Sequence, residues 1–233
     1  MGREPVPYPP AATLSEEIRA WRTGNRHVAG VDEAGRGPMA GPVVAGAVIL
    51  DPQGAAPWWS ELRDSKLLTA KRRRDLAERL RETAAVGVGT ATHEEIDAMG
   101  LLVATREAML RALAALPCPA DLLLIDAVEL EWPGQQRSII HGDGHSVSIA
   151  AASIIAKVER DAMMDGFHKT YPMYGFEHNR GYCTRDHVRA LFEHGPCDIH
   201  RRSFAPVRAY LEGHQLDFVE AMARDDGTPS PTS

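Results

Sequence analysis

The chain has 233 residues, 44% of them hydrophobic, which is ample for one large domain with a helical appendage and requires no second catalytic domain. Its net charge of −6 taken alone argues against nucleic-acid binding, yet basic residues gather at Lys71 to Arg74, at Arg180 and Arg185, and at His200-Arg201-Arg202, where they can line one groove. Cys118, Cys183 and Cys197 are an odd number without CxxC spacing, which argues against a disulfide framework or a zinc site and for a reducing, cytoplasmic setting.

Residues 1–12 are proline-rich and read as a flexible segment without the basic-then-apolar pattern of a secretion signal. No window approaches the roughly 18 apolar residues of a membrane helix. Leu14 to Trp21 forms a short leading helix. The run His27-Val28-Ala29-Gly30-Val31 has no helical period and reads as a buried strand over 27–34. A Gly/Pro-rich turn joins it to a second strand over 43–50, and their closeness in sequence favours antiparallel pairing. Thr69 to Ala84 has helical spacing and opens with a capping threonine; its basic cluster reads as a solvated face.

A strand at Val86 to Thr92 precedes helices at His93 to Met99 and Leu101 to Leu116, which Pro117-Cys118-Pro119 ends. Asp121 to Asp126 is a short apolar strand, and Arg137 to His141 an edge strand followed by a tight turn that exposes Asp143. Ser146 to about Tyr171 is a long helix whose small apolar first half lies deep against the sheet. Helices at Thr184 to His194 and Ala205 to Glu212 complete the order, which is that of a mixed α/β layer architecture. The expected division is a catalytic domain over 13–183, a C-terminal helical lobe over 184–222 packed on it, and a disordered tail over 223–233.

The most informative stretch is Val31-Asp32-Glu33-Ala34-Gly35-Arg36-Gly37. Two adjacent acids emerge where an apolar strand leaves the sheet, and burying them without a partner costs several kcal/mol or more, so they call for a cation. Asp126 repeats the pattern at the end of its own strand, where ligands of open α/β sheets gather. With Asp143 these make four carboxylates at element ends, a donor set suited to Mg2+ or Mn2+. Two such ions suit phosphodiester cleavage without a covalent nucleophile, and the chain has no G-x-S-x-G or Walker A loop. His141 and His145 flank Asp143 but lack the further close ligands of a histidine metal site.

Several motifs in order resemble the bacterial ribonuclease HII, or type 2 ribonuclease H, family from about His27 to Val207. They are V-D-E-A-G-R-G at 31–37, D-S-K at 64–66, I-D at 125–126, G-D at 142–143, A-A-S-I-I-A-K-V-x-R-D at 151–161, Y-P-x-Y-G-F at 171–176, G-Y at 181–182 and H-R-R-S-F at 200–204. The resemblance implies an RNase H-like fold and cleavage of RNA in RNA-DNA hybrids. It also implies cleavage on the 5' side of single ribonucleotides in duplex DNA, leaving 3'-hydroxyl and 5'-phosphate ends. It assigns metal binding and catalysis to Asp32, Glu33, Asp126 and Asp143, reading of the ribose 2'-hydroxyl to Gly35, Arg36 and Gly37, and junction sensing to Tyr182. Lys66, Lys157 and Arg180 are candidate phosphate contacts, and Asp161 reads as a structural ion-pair or capping acid. Where many relatives have His-Lys before Gly-Tyr this chain has Asn179-Arg180, and His141 stands where many have lysine; both changes bear on substrate affinity and pH response. The protein is expected to act as a monomer on RNA-DNA hybrids or ribonucleotide-containing DNA, away from membranes. Two other readings stay open: a two-metal phosphohydrolase of DNA or small phosphate esters, separable by activity on an all-DNA duplex, and a non-catalytic hybrid-binding module, separable by binding without cleavage.

Overall fold

A computed structural model describes residues 12–214. Nearly all of the segment expected to be flexible, the end of the expected C-terminal lobe and the expected tail lie outside the described residues. The elements are α1 (Ser15–Arg22), β1 (Val28–Ala34), β2 (Val43–Ile49), α2 (Ala70–Thr83), β3 (Ala85–Ala91), α3 (His93–Met99) and α4 (Leu101–Ala114). Then come β4 (Leu122–Asp126), β5 (Gln135–Ile139), α5 (Gly142–His145), α6 (Val147–Thr170), α7 (Phe176–Asn179), α8 (Arg185–His194) and α9 (Ala205–Leu211).

The five strands form one mixed sheet in the order β3-β2-β1-β4-β5. β1 pairs antiparallel with β2, and β2 with β3, as short connections allow. β4 runs parallel to both β1 and β5, its crossovers supplied by helices and a long loop. β5 is an edge strand but begins two residues earlier than the sequence suggests and stops at Ile139. Its start is held by Gln136, whose side chain both donates to the Leu130 carbonyl and accepts from the Leu130 N–H.

Strand alternation splits the core into two layers. Ala29, Val31, Ala45, Ala47, Leu123 and Ile125 pack against α3 and α4 on one face. Val28, Val48, Leu122 and Leu124 face α1, α2 and α6 on the other. Glycine lets α6 lie almost backbone to backbone on that face: a Cβ at Gly46 would stand 2.4 Å from the Ala152 carbonyl oxygen. Ser146 caps α6 by accepting from the Ile149 N–H, and Glu17 of α1 secures the same end, its Oε1 accepting from Ser146 Oγ at 2.5 Å, Ser148 Oγ at 2.7 Å and the Ser148 N–H at 2.9 Å. Beyond the sheet, Val188 and Leu191 of α8 and Val207 and Ala209 of α9 close over Met39 in the β1–β2 loop.

Candidate active site

The parallel register places Val31 beside Ile125, so the next residues, Asp32 and Asp126, leave neighbouring strand ends on the α6 face. Asp143 joins them from α5, a single turn entered through His141 in the left-handed region (φ 57°). Carboxylate oxygens of Asp32, Asp126 and Asp143 lie within 4.8 Å of one another, close enough to share a cation. Asp126 is fixed by the Gly142 N–H, which donates to its Oδ1 at 2.8 Å and so ties the second acid to the turn that carries the third.

Asp143 departs from the expectation of an exposed turn acid: it is 4% exposed. The two glycines make a helical turn tucked under α6, and a Cβ at Gly142 would strike Ile149 Cδ1 at 2.6 Å. Glu33 is not part of the three-acid group but stands near it, where the charges of Asp32, Asp126 and Lys66 reach it. Its Oε1 meets Arg36 Nη1 at 3.3 Å.

The electrostatics are those of crowded acids whose nearby cations, Arg36 and Lys66, do not offset the effect of burial. Burial raises Asp32 well above the usual carboxylate range, the charges of Glu33 and Asp126 push it further, and a hydrogen bond with Ser153 works the other way. Burial also raises Glu33, against the pull of Arg36. Asp143 is pushed up to about 6, by burial first and then by Asp64 and Asp126. Burial opposes the charge on Lys66, but Asp64, Asp143, Asp32 and Asp126 outweigh it and raise its pKa. An all-oxygen donor set that resists ionising in the absence of a cation fits a hard divalent ion.

Asp64 and Ser153 are the site residues that the sequence did not single out. Asp64 is buried, accepts from the Lys66 N–H at 2.9 Å and shares a hydrogen bond with Asp143. Its signal was its place in the D-S-K motif, where the lysine drew attention instead. Ser153 lies on the α6 face toward Asp32, to which it is hydrogen-bonded, and its Oγ stands 3.0 Å from Ser65 Oγ.

The ribose-reading candidates come together as well. Tyr182 is 47% exposed and stands over Gly37, where a Cβ would lie 3.5 Å from its Cε1. Lys157 and Arg180 are placed differently from free phosphate contacts. Lys157 Nζ meets Asp161 Oδ1 at 2.6 Å, and Arg180 donates to the Asp161 carbonyl at 3.1 Å and pairs with Asp165. Asp161 is thus the ion-pair acid its sequence context suggests, with Arg73 Nη2 a further partner at 3.6 Å.

Comparison with known proteins gives one consistent result. The family model for Ribonuclease HII matches residues 29–207. The ribonuclease HII of Bacillus licheniformis is 50% identical over 188 residues, covering 80% of this chain and 72% of that protein. That of Rhizobium etli is 45% identical over 205 residues, covering 86% and 87% respectively. The crystal structure of the ribonuclease H2 from Pyrococcus horikoshii OT3 superposes with a TM-score of 0.68 at 27% identity, over 79% of this chain and 97% of that one.

Proposed function

Because this chain belongs to the ribonuclease HII family and is a type 2 ribonuclease H, a hydrolase acting on RNA-DNA hybrids, we propose that it also cuts duplex DNA on the 5' side of single embedded ribonucleotides. The observation that carries the reading is the meeting of Asp32, Asp126 and Asp143 within 4.8 Å, with Tyr182 standing over Gly37 in the loop that follows the strand carrying Asp32. A water oxygen attacks phosphorus, the bond from phosphorus to the 3'-oxygen breaks, and that oxygen takes up a proton, leaving 3'-hydroxyl and 5'-phosphate ends. Mg2+ or Mn2+ ions, two during the reaction, would be held by Asp32, Asp126 and Asp143 with Glu33 alongside, and when bound supply Lewis-acid charge to the phosphate and the water.

The residues around the acids divide the remaining work. Gly35, Arg36 and Gly37 bring main-chain groups to the ribose 2'-hydroxyl, the feature that separates RNA from DNA at one position. Tyr182 packs on the deoxyribose that follows. Lys66, raised by its acidic neighbours and therefore firmly cationic, meets a phosphate oxygen next to the cut. Lys157 and Arg180, with Arg73, are three cations that share Asp161 and Asp165, and the excess charge faces phosphates farther along the duplex. Residues 13–183 act as the catalytic domain, and the described part of the expected 184–222 lobe buttresses it. The biological setting is ribonucleotide excision and RNA primer removal by a cytoplasmic monomer.

The test is a duplex with one ribonucleotide, incubated with Mg2+ or Mn2+ beside an all-DNA duplex and a long hybrid. The expected result is a single cut 5' to the ribonucleotide, with the all-DNA duplex intact. Cleavage of the long hybrid with no cut at the isolated ribonucleotide under either metal would confine the activity to hybrids.

A further inference from the structure

Two buried arginines lie beneath the loop that joins β1 to β2, Arg160 at 1% and Arg201 at 0% exposure. Arg201, between α8 and α9, donates from Nη2 to the Gly35 carbonyl at 2.6 Å, from Nη1 to the Arg36 carbonyl at 3.1 Å and from Nε to the Gly41 carbonyl at 2.9 Å. Arg160, on α6, donates from Nε to the Pro42 carbonyl at 3.0 Å and from Nη2 to the Ala40 carbonyl at 3.2 Å. All five bonds end on main-chain oxygens of one eight-residue stretch. Burial pulls both guanidinium groups below their ordinary range, Arg201 with the added repulsion of Arg160 beside it. Two buried like charges resting on peptide oxygens are costlier than apolar packing of the same volume, so what they hold must matter.

A trans peptide sets its N–H opposite its C=O. With the carbonyls of Gly35 and Arg36 turned in toward Arg201, the N–H groups of Arg36 and Gly37 are turned out, and the guanidinium polarises them into stronger donors. The preceding residue serves the other half of the same surface. Cys197 N–H donates to His200 Nδ1 at 3.0 Å, His200 Nε2 meets His187 Nε2 at 3.1 Å, and His187 Nδ1 meets the Tyr182 carbonyl at 2.8 Å. One proton fits between the two Nε2 atoms, and the main-chain partners assign it: His187 donates from Nδ1, so His200 donates from Nε2 and both rings are neutral. Adjacent residues 200 and 201 therefore anchor Tyr182 and the Gly35-Arg36-Gly37 loop from one segment.

We propose that Arg201 is a positioning residue for recognition of the ribonucleotide: it sets the outward N–H groups of Arg36 and Gly37 against Tyr182, whose backbone His200 holds through His187. This rests on the reading of Gly35, Arg36, Gly37 and Tyr182 as the ribose and junction contacts. Lysine at 201 keeps a charge but cannot span three carbonyls in a fixed fork.

The test compares kcat/KM on a one-ribonucleotide duplex and on a long RNA-DNA hybrid at saturating Mg2+, with thermal melting in parallel. R201K is expected to lower the ratio of the two by about 10- to 100-fold, the scale of a small misplacement of recognition groups. Equal losses on both substrates, tracking the melting temperature, would overturn the proposal and leave Arg201 a structural residue. If R201K does not fold, F204L decides, because the Phe204 ring lies 5.0 Å from the Arg201 guanidinium carbon and its loss loosens that group without removing it. A drop in the ratio of about threefold or more then supports the proposal, and an unchanged ratio overturns it. G37A separates the two layers of argument. If it leaves kcat/KM on both substrates at the wild-type value, the ribose-reading assignment itself fails; if it lowers either and R201K leaves the ratio unchanged, only the positioning role fails.

Discussion

At the scale of single residues, the acids that end apolar strands were legible because the pattern of an apolar run delivering a carboxylate is written in consecutive residues. Asp32 and Asp126 sit where that pattern puts them, on neighbouring strand ends. What was not legible is burial set by distant partners. Asp143 reads as an exposed turn acid until α6 covers it, and Arg201 reads as one of a basic trio until its guanidinium is seen beneath a loop some 160 residues earlier in the chain. The raised pKa of Asp32 and Glu33, due to burial and in part to Asp126, leads to a two-sided prediction. Asp126→Asn should reduce single-turnover cleavage by about a thousandfold or more, the scale seen when one member of a group that acts together is lost. In EDTA near pH 8 the same variant should melt no lower than the parent, because a repelling charge has been removed. A retained cleavage rate would take Asp126 out of the chemistry.

At the scale of elements, apolar patterning located the long helices, and for α2 a capping threonine did as well. Thr69, Ser146 and Thr184 each accept a main-chain N–H at the start of α2, α6 and α8, within a residue of the expected boundary. The one-turn helices α5 and α7 escaped notice because four residues cannot display a helical period. Nor does sequence alone reveal that α1 and α6 are joined through Glu17. Its Oε1 accepts three bonds from Ser146 and Ser148 at the start of α6, so Glu17→Ala strands their donors in a buried setting and should lower stability by about 2–3 kcal/mol. Urea denaturation checks this, and an unchanged midpoint would show that the bonds are replaced by water. Gly46→Ala acts by sterics instead. Its Cβ would stand 2.4 Å from the Ala152 carbonyl oxygen, forcing α6 away from the sheet at a cost of about 3 kcal/mol. Because α6 carries Ser153 against Asp32, cleavage should fall more than the loss of folded protein alone explains.

At the scale of the whole molecule, two buried groups of opposite character set the pH response. Asp143 is pushed up to about 6, by burial first, while in an unfolded chain it ionises near 4, so the folded state binds more protons between those values. Without metal, that group makes stability fall as pH rises from about 4 to about 6, and Asp32 and Glu33 add in the same sense. The histidine pair does the reverse. Burial lowers His187 to about 4 and His200 to about 3, so the unfolded chain binds more protons below its ordinary histidine pKa of about 6.5, and stability is lost as pH falls through that window. Only the acidic group lies where a cation would bind, which separates the two experimentally. A divalent ion competes with the protons on Asp32 and Asp143, so a fixed concentration of Mg2+ should raise the melting temperature more near pH 8 than near pH 5. His187→Gln, which leaves every acid in place, should flatten the acid limb of the melting curve without altering that difference, whereas Asp143→Asn should shrink it. An Mg2+ gain of equal size at both pH values would mean that these carboxylates are not its ligands, since near pH 5 an ion must displace the proton that burial holds on Asp143 and near pH 8 it need not.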